Sequence, residues 1–368
     1  MADDKQYIQD LHEYIRQGEP QEQERGRAWQ TAIGLQDVDG LSTSPYLLET
    51  ARRHIQGVIT ISEVKHLIDS YYKSQAGRKE VERERTEEAD KVSARITELL
   101  QEQSFNFSPA QLTSIHRRLF EGIYKFAGLI RDYNITKREW VLRGETVYYA
   151  GADTIRETLE YDMGQERNYS YEGKSIDEAI SHLTRFCANL WQIHPFGEGN
   201  TRTTAVFMIK YLKMLGFKVT NDIFAAKSWY FRNALVRANY SNLQEGVTET
   251  TLFLERFFRN MLLGETTPLH NREMHLDWMV ENEGQSAKAM AQSANFALPL
   301  PQKCKNCTLE EIAVLRIIQQ DPSSKQSFIA EEIKKSERTV KTITARLTEK
   351  GIIKRSKGKG SAWVILYN

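Results

Sequence analysis

The sequence predicts a mainly α-helical protein with more than one domain. Apolar residues recur at the spacing of amphipathic helices over most of the chain, and segments that favour strands are few and short. The length of 368 residues exceeds one ordinary domain and suggests two or three. Residues are 40% apolar and 27% charged. Because no apolar run approaches the roughly 18 residues that cross a bilayer, we expect a soluble protein with no membrane partner.

The start of the chain and its cysteines indicate a compartment. The opening segment, MADDKQYIQDLHEY, is acidic and polar, unlike a signal peptide. Three cysteines do not form a disulfide framework in so long a chain, so we expect a reducing, cytoplasmic setting. Cys304 and Cys307 form a single C-x-x-C pair. Because a structural zinc needs four ligands, we expect these cysteines to be structural or incidental.

Residues 1–75 are expected to form a small helical unit. Its first 23 residues are polar, and three helical segments follow. Pro45 suits the first turn of the second helix, and Thr60 is a candidate N-cap for the third. The next 26 residues, QAGRKEVERERTEEADKVSARITELL, are rich in charge, and we expect a helix with a solvated face there.

Residues 76–265 are expected to form a larger helical domain interrupted by one hairpin. In EWVLRGETVYYA, residues 139–150, the aromatic and β-branched residues favour strand, and Gly144 lies where a hairpin would turn. Ser175 and Glu178 match a capping box at the start of a helix. The segment TRTTAVFMIKYLKMLGF is apolar on nearly all sides, which predicts a buried central helix.

Residues 266–307 are expected to form a linker, and residues 308–368 a separate domain. The last segment predicts three helices followed by two strands around a basic, glycine-containing tip, which is the order of a winged helix-turn-helix. It holds twelve basic and seven acidic residues, whereas the whole chain has a net charge of +1. This basic unit makes DNA a candidate partner, with protein binding as the alternative.

The segment HPFGEGNTR, His194 to Arg202, concentrates the chemistry of a phosphate site between two predicted helices. Gly199 and Asn200 tolerate backbone angles that turn peptide N–H groups inward, and the next helix adds its N-terminal dipole. Arg202 offers a forked charge for phosphate. Glu198 is a candidate magnesium ligand, and His194 a candidate general base.

This motif resembles that of the Fic family, H-x-F-x-[DE]-G-N-G-R-x-x-R. The resemblance extends over about residues 105–265, including the hairpin, and the N-terminal unit resembles the antitoxin unit often fused to Fic domains. It implies transfer of AMP from ATP to a Tyr, Thr or Ser hydroxyl of a protein target, with Mg²⁺ as cofactor. The implied roles are proton acceptor for His194, metal ligand for Glu198, and phosphate binding for Gly199, Asn200, Thr201 and Arg202.

The resemblance also assigns residues outside the motif. The hairpin would be a β-hairpin flap that docks the target by strand addition, through Val141, Leu142, Val147 and Tyr148. Asn239 would touch the nucleoside, whereas Phe231 is expected in the core.

The sequence departs from the family pattern at two motif positions. Thr201 replaces the third glycine, and Ala205 replaces the second arginine, which in the family meets the γ-phosphate or an inhibitory glutamate. Leu35 stands where that glutamate would be. We therefore expect no inhibition through this ion pair, and similar affinities for ADP and ATP. Otherwise Arg138 or Arg143 would supply the missing charge.

Three functions stay open at this stage. The first is AMP transfer. The second is phosphate transfer, as in the related Doc toxins, which resemble this chain but carry lysine at the position of Thr201. The third is a nucleotide-sensing transcription regulator that acts through the winged helix. The sequence does not decide between a monomer and a homodimer.

Overall fold

The computed structural model describes residues 19–74, 81–219, 222–281, 321–333, 335–356 and 362–366, and five positions between 311 and 318. The described chain is predominantly helical, which confirms the predicted fold class. The named strands within these ranges are two short ones near the C-terminus. Cys304, Cys307 and most of the predicted linker lie outside the described residues. None of the described helices is long and apolar enough to cross a membrane.

Eleven helices are named in the first compact unit among the described residues, and the longest connection between them, residues 121–154, contains the segment predicted as a flap. They are α1 (Pro20–Gly34), α2 (Pro45–Ile55), α3 (Ile61–Ser74), α4 (Val81–Gln101), α5 (Pro109–Phe120), α6 (Ile155–Asn168), α7 (Ile176–Ile193), α8 (Asn200–Met214), α9 (Asp222–Ala238), α10 (Leu252–Leu263) and α11 (Leu276–Glu281). Short 3₁₀ turns occur at Leu35–Asp39, Trp140–Leu142, Leu243–Glu245 and Asn271–Met274. The N-terminal half of α7 is grouped with the second unit.

Local capping signals place several helix starts where the sequence predicts them. Pro45 occupies the first turn of α2. The Thr60 hydroxyl accepts from the Glu63 N–H at 3.2 Å, and the Glu63 carboxylate accepts from the Thr60 N–H at 2.7 Å, a reciprocal capping box before α3. Ser175 and Glu178 form the same arrangement before α7. These caps satisfy N–H groups that have no partner within the helix.

Helix α4 is the charged helix that the sequence predicts, with Glu84 and Arg85 exposed, and it also has a buried face. It packs against α1, and its second half buries Val92, Ile96 and Leu99. Asp90 is also buried, where its carboxylate accepts from the Ser44 N–H and hydroxyl and from the Tyr72 hydroxyl. The overall charge of the segment conceals an apolar stripe with helical spacing.

The prediction of strands at residues 139–150 is wrong, although the chain does reverse direction there. The Glu139 N–H donates to the Glu145 carbonyl at 2.9 Å, and Trp140–Leu142 form a 3₁₀ turn that ends at Arg143 in the left-handed region. Val141 and Leu142 are both fully buried. Successive residues of a strand point to opposite faces, so two adjacent buried side chains favour a turn packed on the core.

Helix α8 is the buried central helix that the sequence predicts. Every residue from Asn200 to Leu212 is buried. Its neighbours include α5 and α4. The residues of the motif that precede α8 are therefore held by a helix surrounded by protein.

The second compact unit contains the winged helix-turn-helix. Helices α12 (Gln326–Glu332) and α13 (Glu337–Glu349) precede strands β1 (Ile353–Arg355) and β2 (Trp363–Ile365). The strands pair antiparallel, with Lys354 opposite Val364. The Trp363 indole N–H donates to the Ser324 carbonyl at 3.1 Å, which fixes β2 to the segment before α12.

Candidate functional site

The motif forms a tight loop between α7 and α8, and Gly199 in this loop is required sterically. Gly199, the N-cap of α8, has φ 75°, and a Cβ there would overlap the Phe120 ring. A Cβ on Gly197 would lie 2.6 Å from the Tyr133 hydroxyl. The side chain of Asn200 braces the loop, accepting from the Phe196 N–H at 3.0 Å and donating to the Phe196 carbonyl at 2.8 Å. The loop therefore meets the N-terminus of α8 in a fixed conformation that suits an anion.

His194 begins the loop in a strained and fully enclosed position. Its φ is 48°, and its ring lies 4.2 Å from that of Tyr149. Nδ1 is 3.1 Å from the Trp191 carbonyl, which can only accept, so Nδ1 carries the proton and Nε2 is the basic atom. Burial and the charge of Lys137 hold the pKa of His194 well below its usual value, against the Trp191 hydrogen bond. The imidazole is therefore a neutral proton acceptor at pH 7.

Arg131 joins the motif loop to the segment between Tyr133 and Ala150. Sequence reasoning missed this role. Its guanidinium donates to the carbonyls of His194 at 2.8 Å, Tyr133 at 2.6 Å and Ala150 at 2.6 Å. No local pattern marks this arginine, because its partners lie up to 63 residues away. It holds His194 and the predicted flap in one arrangement.

His116 supports the other end of the loop and was also missed. Nδ1 accepts from the Gly128 N–H at 2.8 Å, so Nε2 carries the proton and donates to the Glu198 carbonyl at 3.0 Å. Its ring stacks on Phe196 with centroids 3.7 Å apart. Burial lowers the pKa of His116 to about 4, against the bond to Glu198. This neutral histidine fixes the main chain just before Gly199.

Glu198 is the exposed member of the motif, with a side chain 49% accessible. The ammonium of Lys137 lies 2.8 Å and 3.0 Å from its two carboxylate oxygens. Among the described residues, no group of three His, Cys, Asp or Glu side chains could hold a metal ion. Magnesium is commonly held by one or two carboxylates together with substrate phosphates. Glu198 therefore fits Mg²⁺ only as the single protein carboxylate beside a bound nucleotide.

Arg202 is buried in a cluster of acidic and polar groups. Its side chain is 1% accessible, and its guanidinium lies 2.6 Å from a Glu88 carboxylate oxygen and 2.8 Å from one of Asp39. It also donates to the Gln36 amide oxygen at 2.9 Å and the Tyr124 hydroxyl at 3.2 Å. Arg202, which the sequence predicts to bind phosphate, is therefore paired with protein carboxylates in this structure.

The two departures from the family motif are accommodated inside the protein. The Thr201 hydroxyl accepts from the Trp191 indole N–H at 3.0 Å. Ala205 and Leu35 are both fully buried. Neither side chain carries a charge, so these two positions cannot form the family's inhibitory ion pair. The N-terminal segment reaches the motif helix instead through Asp39 and Gln36.

Asn239 and Phe231, which the resemblance also names, lie on α9 or directly after it. Asn239 donates from its amide nitrogen to the carbonyls of Ala188 and Leu235, at 3.0 and 2.9 Å. Phe231 lies in the core against Phe224 and Phe257, as expected. These contacts engage the Asn239 amide nitrogen in the fold.

The four flap residues divide into three anchors and one surface side chain. Val141, Leu142 and Val147 are buried, whereas Tyr148 is 82% accessible. Beside them, Arg143 pairs with Glu245 at 3.2 Å and with Asp277 at 2.6 Å. Arg138 is exposed.

Comparison with known families finds two matches along this chain. The model of the Fic/DOC family matches residues 106–212. This chain carries a Fic/DOC domain. The model of a winged helix-turn-helix DNA-binding domain matches residues 311–354, which agrees with the predicted C-terminal architecture.

Individual relatives of this chain are distant. It is 26% identical over 142 residues to a protein adenylyltransferase of Bartonella henselae, a match that covers 36% of this chain and 26% of the relative. It is 27% identical over 146 residues to a probable protein adenylyltransferase of Sinorhizobium fredii, covering 39% and 71%. The chain thus spans about a quarter of the first relative and about seven tenths of the second.

A solved Fic family protein from Desulfovibrio desulfuricans covers 100% of this chain and 94% of its own, at 14% identity and a TM-score of 0.42.

Proposed function

We propose that this protein is a protein adenylyltransferase, which transfers AMP from ATP to a Tyr, Thr or Ser hydroxyl of a protein target. One observation carries the proposal. A neutral His194, with Nδ1–H donated to Trp191, lies on the same loop as Gly199 at the N-terminus of α8. A proton acceptor and an anion site are the parts that attack on a phosphate requires.

The proposed reaction balances with the residues present. His194 Nε2 takes the proton of the target hydroxyl as its oxygen attacks the α-phosphorus. A bond forms between that oxygen and phosphorus, the bond from the α-phosphorus to the bridging oxygen breaks, and pyrophosphate leaves. The Gly199, Asn200 and Thr201 main chain would hold phosphate at the helix N-terminus. Mg²⁺ bound at Glu198 would neutralise phosphate charge.

The Arg202 side chain would have to exchange one of its partners before it could bind phosphate. Glu88 and Asp39 supply the negative charge that a phosphate would otherwise supply. Exchange of a carboxylate for a phosphate keeps the buried guanidinium compensated, whereas simple loss of a carboxylate would not. In the proposed mechanism a nucleotide phosphate would replace one of these carboxylates at Arg202.

The target would meet the segment that follows the 3₁₀ turn. Val141, Leu142 and Val147 anchor this segment in the core, while Tyr148 projects outward and its carbonyl accepts from the Gln192 amide at 3.0 Å. We propose Tyr148 as the side chain of this segment that contacts the target. The segment belongs to no named strand among the described residues, so docking by strand addition would give it a pairing partner.

The C-terminal domain supports a second role in DNA binding. Helix α13 exposes Arg338, Lys341 and Arg346, and basic side chains on a recognition helix suit DNA phosphates. We propose that residues 1–75, 76–265 and 308–368 act as helical unit, catalytic domain and DNA-binding domain of a cytoplasmic protein, with residues 266–307 as linker. A regulator that only senses nucleotide is the alternative.

The position of the transferred label tests these functions against one another. The protein, Mg²⁺ and a cell lysate are incubated with ATP labelled on either the α- or the γ-phosphate. The proposal predicts that the protein adds label, above that of the lysate alone, from α-labelled ATP and adds none from γ-labelled ATP. Label from γ-labelled ATP alone would establish a Doc-like phosphotransferase. If neither label transfers while the protein binds DNA in a nucleotide-dependent way, the regulator is the correct function.

A further inference from the structure

The charge that Ala205 fails to supply must come from another residue if this site is to hold a nucleotide triphosphate. Ala205 is buried among core side chains. Of the arginines that the sequence offers instead, Arg143 pairs with Glu245 and Asp277, and Arg138 is exposed to solvent. Arg202 is enclosed by Glu88 and Asp39. Each of these positions differs from that of Lys137.

Lys137 brings an ammonium to the mouth of the motif loop. The backbone N–H of Lys137 donates to the Thr146 hydroxyl at 3.2 Å. This bond fixes the main chain from which the lysine side chain extends. Its Nζ lies 2.8 and 3.0 Å from the Glu198 oxygens, and Glu198 directly precedes Gly199, the N-cap of α8. The ammonium therefore lies beside the helix end at which the proposed function places phosphate.

We propose that Lys137 is a nucleotide-binding residue, which contacts the phosphates of ATP beyond the α-phosphate and takes the place of the missing second arginine. The inference rests on the proposed function to the extent that a nucleotide occupies the loop. Lysine serves phosphate as a mobile point charge, and its stem allows the ammonium to move from a carboxylate to a neighbouring phosphate.

The Lys137 ammonium can exchange Glu198 for another anionic partner at little cost. The Glu198 side chain is 49% and the Lys137 side chain 25% accessible, and ion pairs with this exposure contribute little to stability. The electrostatics agree with a position inside the site. After burial, the charge of Lys137 is the largest cause that lowers the pKa of His194, ahead of Arg232 and Arg131.

Calorimetric titration of the full chain with ATP and with AMP, both in the presence of Mg²⁺, tests the inference. AMP lacks the phosphates that Lys137 is proposed to contact, so it measures general damage to the site. We expect Lys137→Met to weaken ATP binding about tenfold, which is about 1.4 kcal/mol, and AMP binding less than twofold. Lys137→Arg should restore most of the ATP affinity. Arg138→Met, which removes the adjacent exposed cation, should bind both nucleotides as the wild type does.

Two results would overturn the inference. The first is wild-type ATP affinity in Lys137→Met. The second is an equal loss of ATP and AMP binding, which would assign Lys137 a structural role. Label transfer measured on the same preparations separates this test from the proposed function: transfer of γ-phosphate by the wild type would refute AMP transfer, while the contrast between ATP and AMP would still decide on Lys137. Absence of nucleotide binding by the wild type would refute both.

Discussion

Arg202, which is buried, and Glu88, which is partly buried, form an ion pair with 2.6 Å between Nη2 and Oε1 that joins the motif helix α8 to helix α4. Asp39 and Gln36 approach the same guanidinium from the 3₁₀ turn after α1. The Tyr124 hydroxyl donates to the same Glu88 oxygen at 2.6 Å. The N-terminal helices are thus coupled by charge to Arg202, the proposed phosphate ligand, through residues other than those of the family's inhibitory pair.

Replacing Glu88 should make the protein less stable and more responsive to nucleotide. Breaking a buried ion pair typically costs 3–5 kcal/mol. Because Asp39 remains, we expect Glu88→Gln to lower the free energy of unfolding by about 2 to 3 kcal/mol. ATP with Mg²⁺ should then raise the melting temperature of Glu88→Gln more than that of the wild type, since phosphate replaces the lost charge. Glu102→Gln, which removes a more exposed partner of Arg118, is the control. Equal shifts in all three proteins would refute the coupling.

Substitution of Gly199 tests how tightly the loop is specified. Gly199 and Gly216 both have positive φ, at 75° and 87°, at opposite ends of α8. A Cβ at Gly216 meets no atom within 4 Å, whereas one at Gly199 overlaps Phe120. We expect Gly216→Ala to cost about 1 to 2 kcal/mol from backbone conformation alone. Gly199→Ala should cost about 1 to 3 kcal/mol more from overpacking. Denaturant unfolding measures both, and similar losses would show that Phe120 moves aside freely.

The stability of the N-terminal unit should depend on pH through His54. His54 Nδ1 accepts from the Trp29 indole at 3.0 Å, and burial, followed by the charge of Arg25, lowers the pKa of His54 to about 4. Since an unfolded histidine titrates near pH 6.5, the unfolded state binds more protons between pH 6.5 and 4. Stability is therefore lost as pH falls through this window.

A substitution isolates this contribution. Between pH 7 and pH 5, His54→Gln should lose about 2 kcal/mol less stability than the wild type, because glutamine can accept the bond but does not titrate. His116, whose pKa is also lowered to about 4, remains in both proteins and cancels in the comparison. Denaturant unfolding at the two pH values measures the difference. Parallel pH profiles would contradict the assignment.

Helix α13 should account for any DNA binding. Arg338 and Lys341 are exposed one turn apart on this helix. We expect the double substitution Arg338→Ala and Lys341→Ala to weaken DNA binding at every salt concentration. It should also reduce the slope of log affinity against log salt concentration by about 2, one for each phosphate contact. Lys73→Ala, an exposed position on α3, should change neither quantity. An unchanged slope in the double variant would exclude α13 as the phosphate-binding element.

Features set by neighbouring residues could be predicted from the sequence. The capping boxes at Thr60 and Ser175 span four residues each, and the buried helix α8 follows from its own composition. The motif residues His194 and Gly199 also lie on the one loop that their spacing predicts. The buried side of α4 could have been recognised, because Val92, Ile96 and Leu99 recur at helical spacing within a charged segment.

Features set by distant residues could not be predicted. Glu88 lies 114 residues from Arg202 in the chain, and Arg131 lies 63 residues from His194. No local pattern pairs such groups. The strand prediction for residues 139–150 failed because propensity favoured strand, whereas the burial of both Val141 and Leu142 determined the conformation.

The central claim is that His194 is the base of an AMP transfer, and the rate of label transfer from α-labelled ATP in His194→Ala tests it most directly. Loss of a general base typically lowers a rate by about 10² to 10⁴. The account predicts a loss of this size, with ATP binding by calorimetry kept within about threefold because the N-terminus of α8 is intact. His66→Ala, an exposed histidine on α3, should label protein like the wild type. Labelling by His194→Ala at near the wild-type rate would contradict the account.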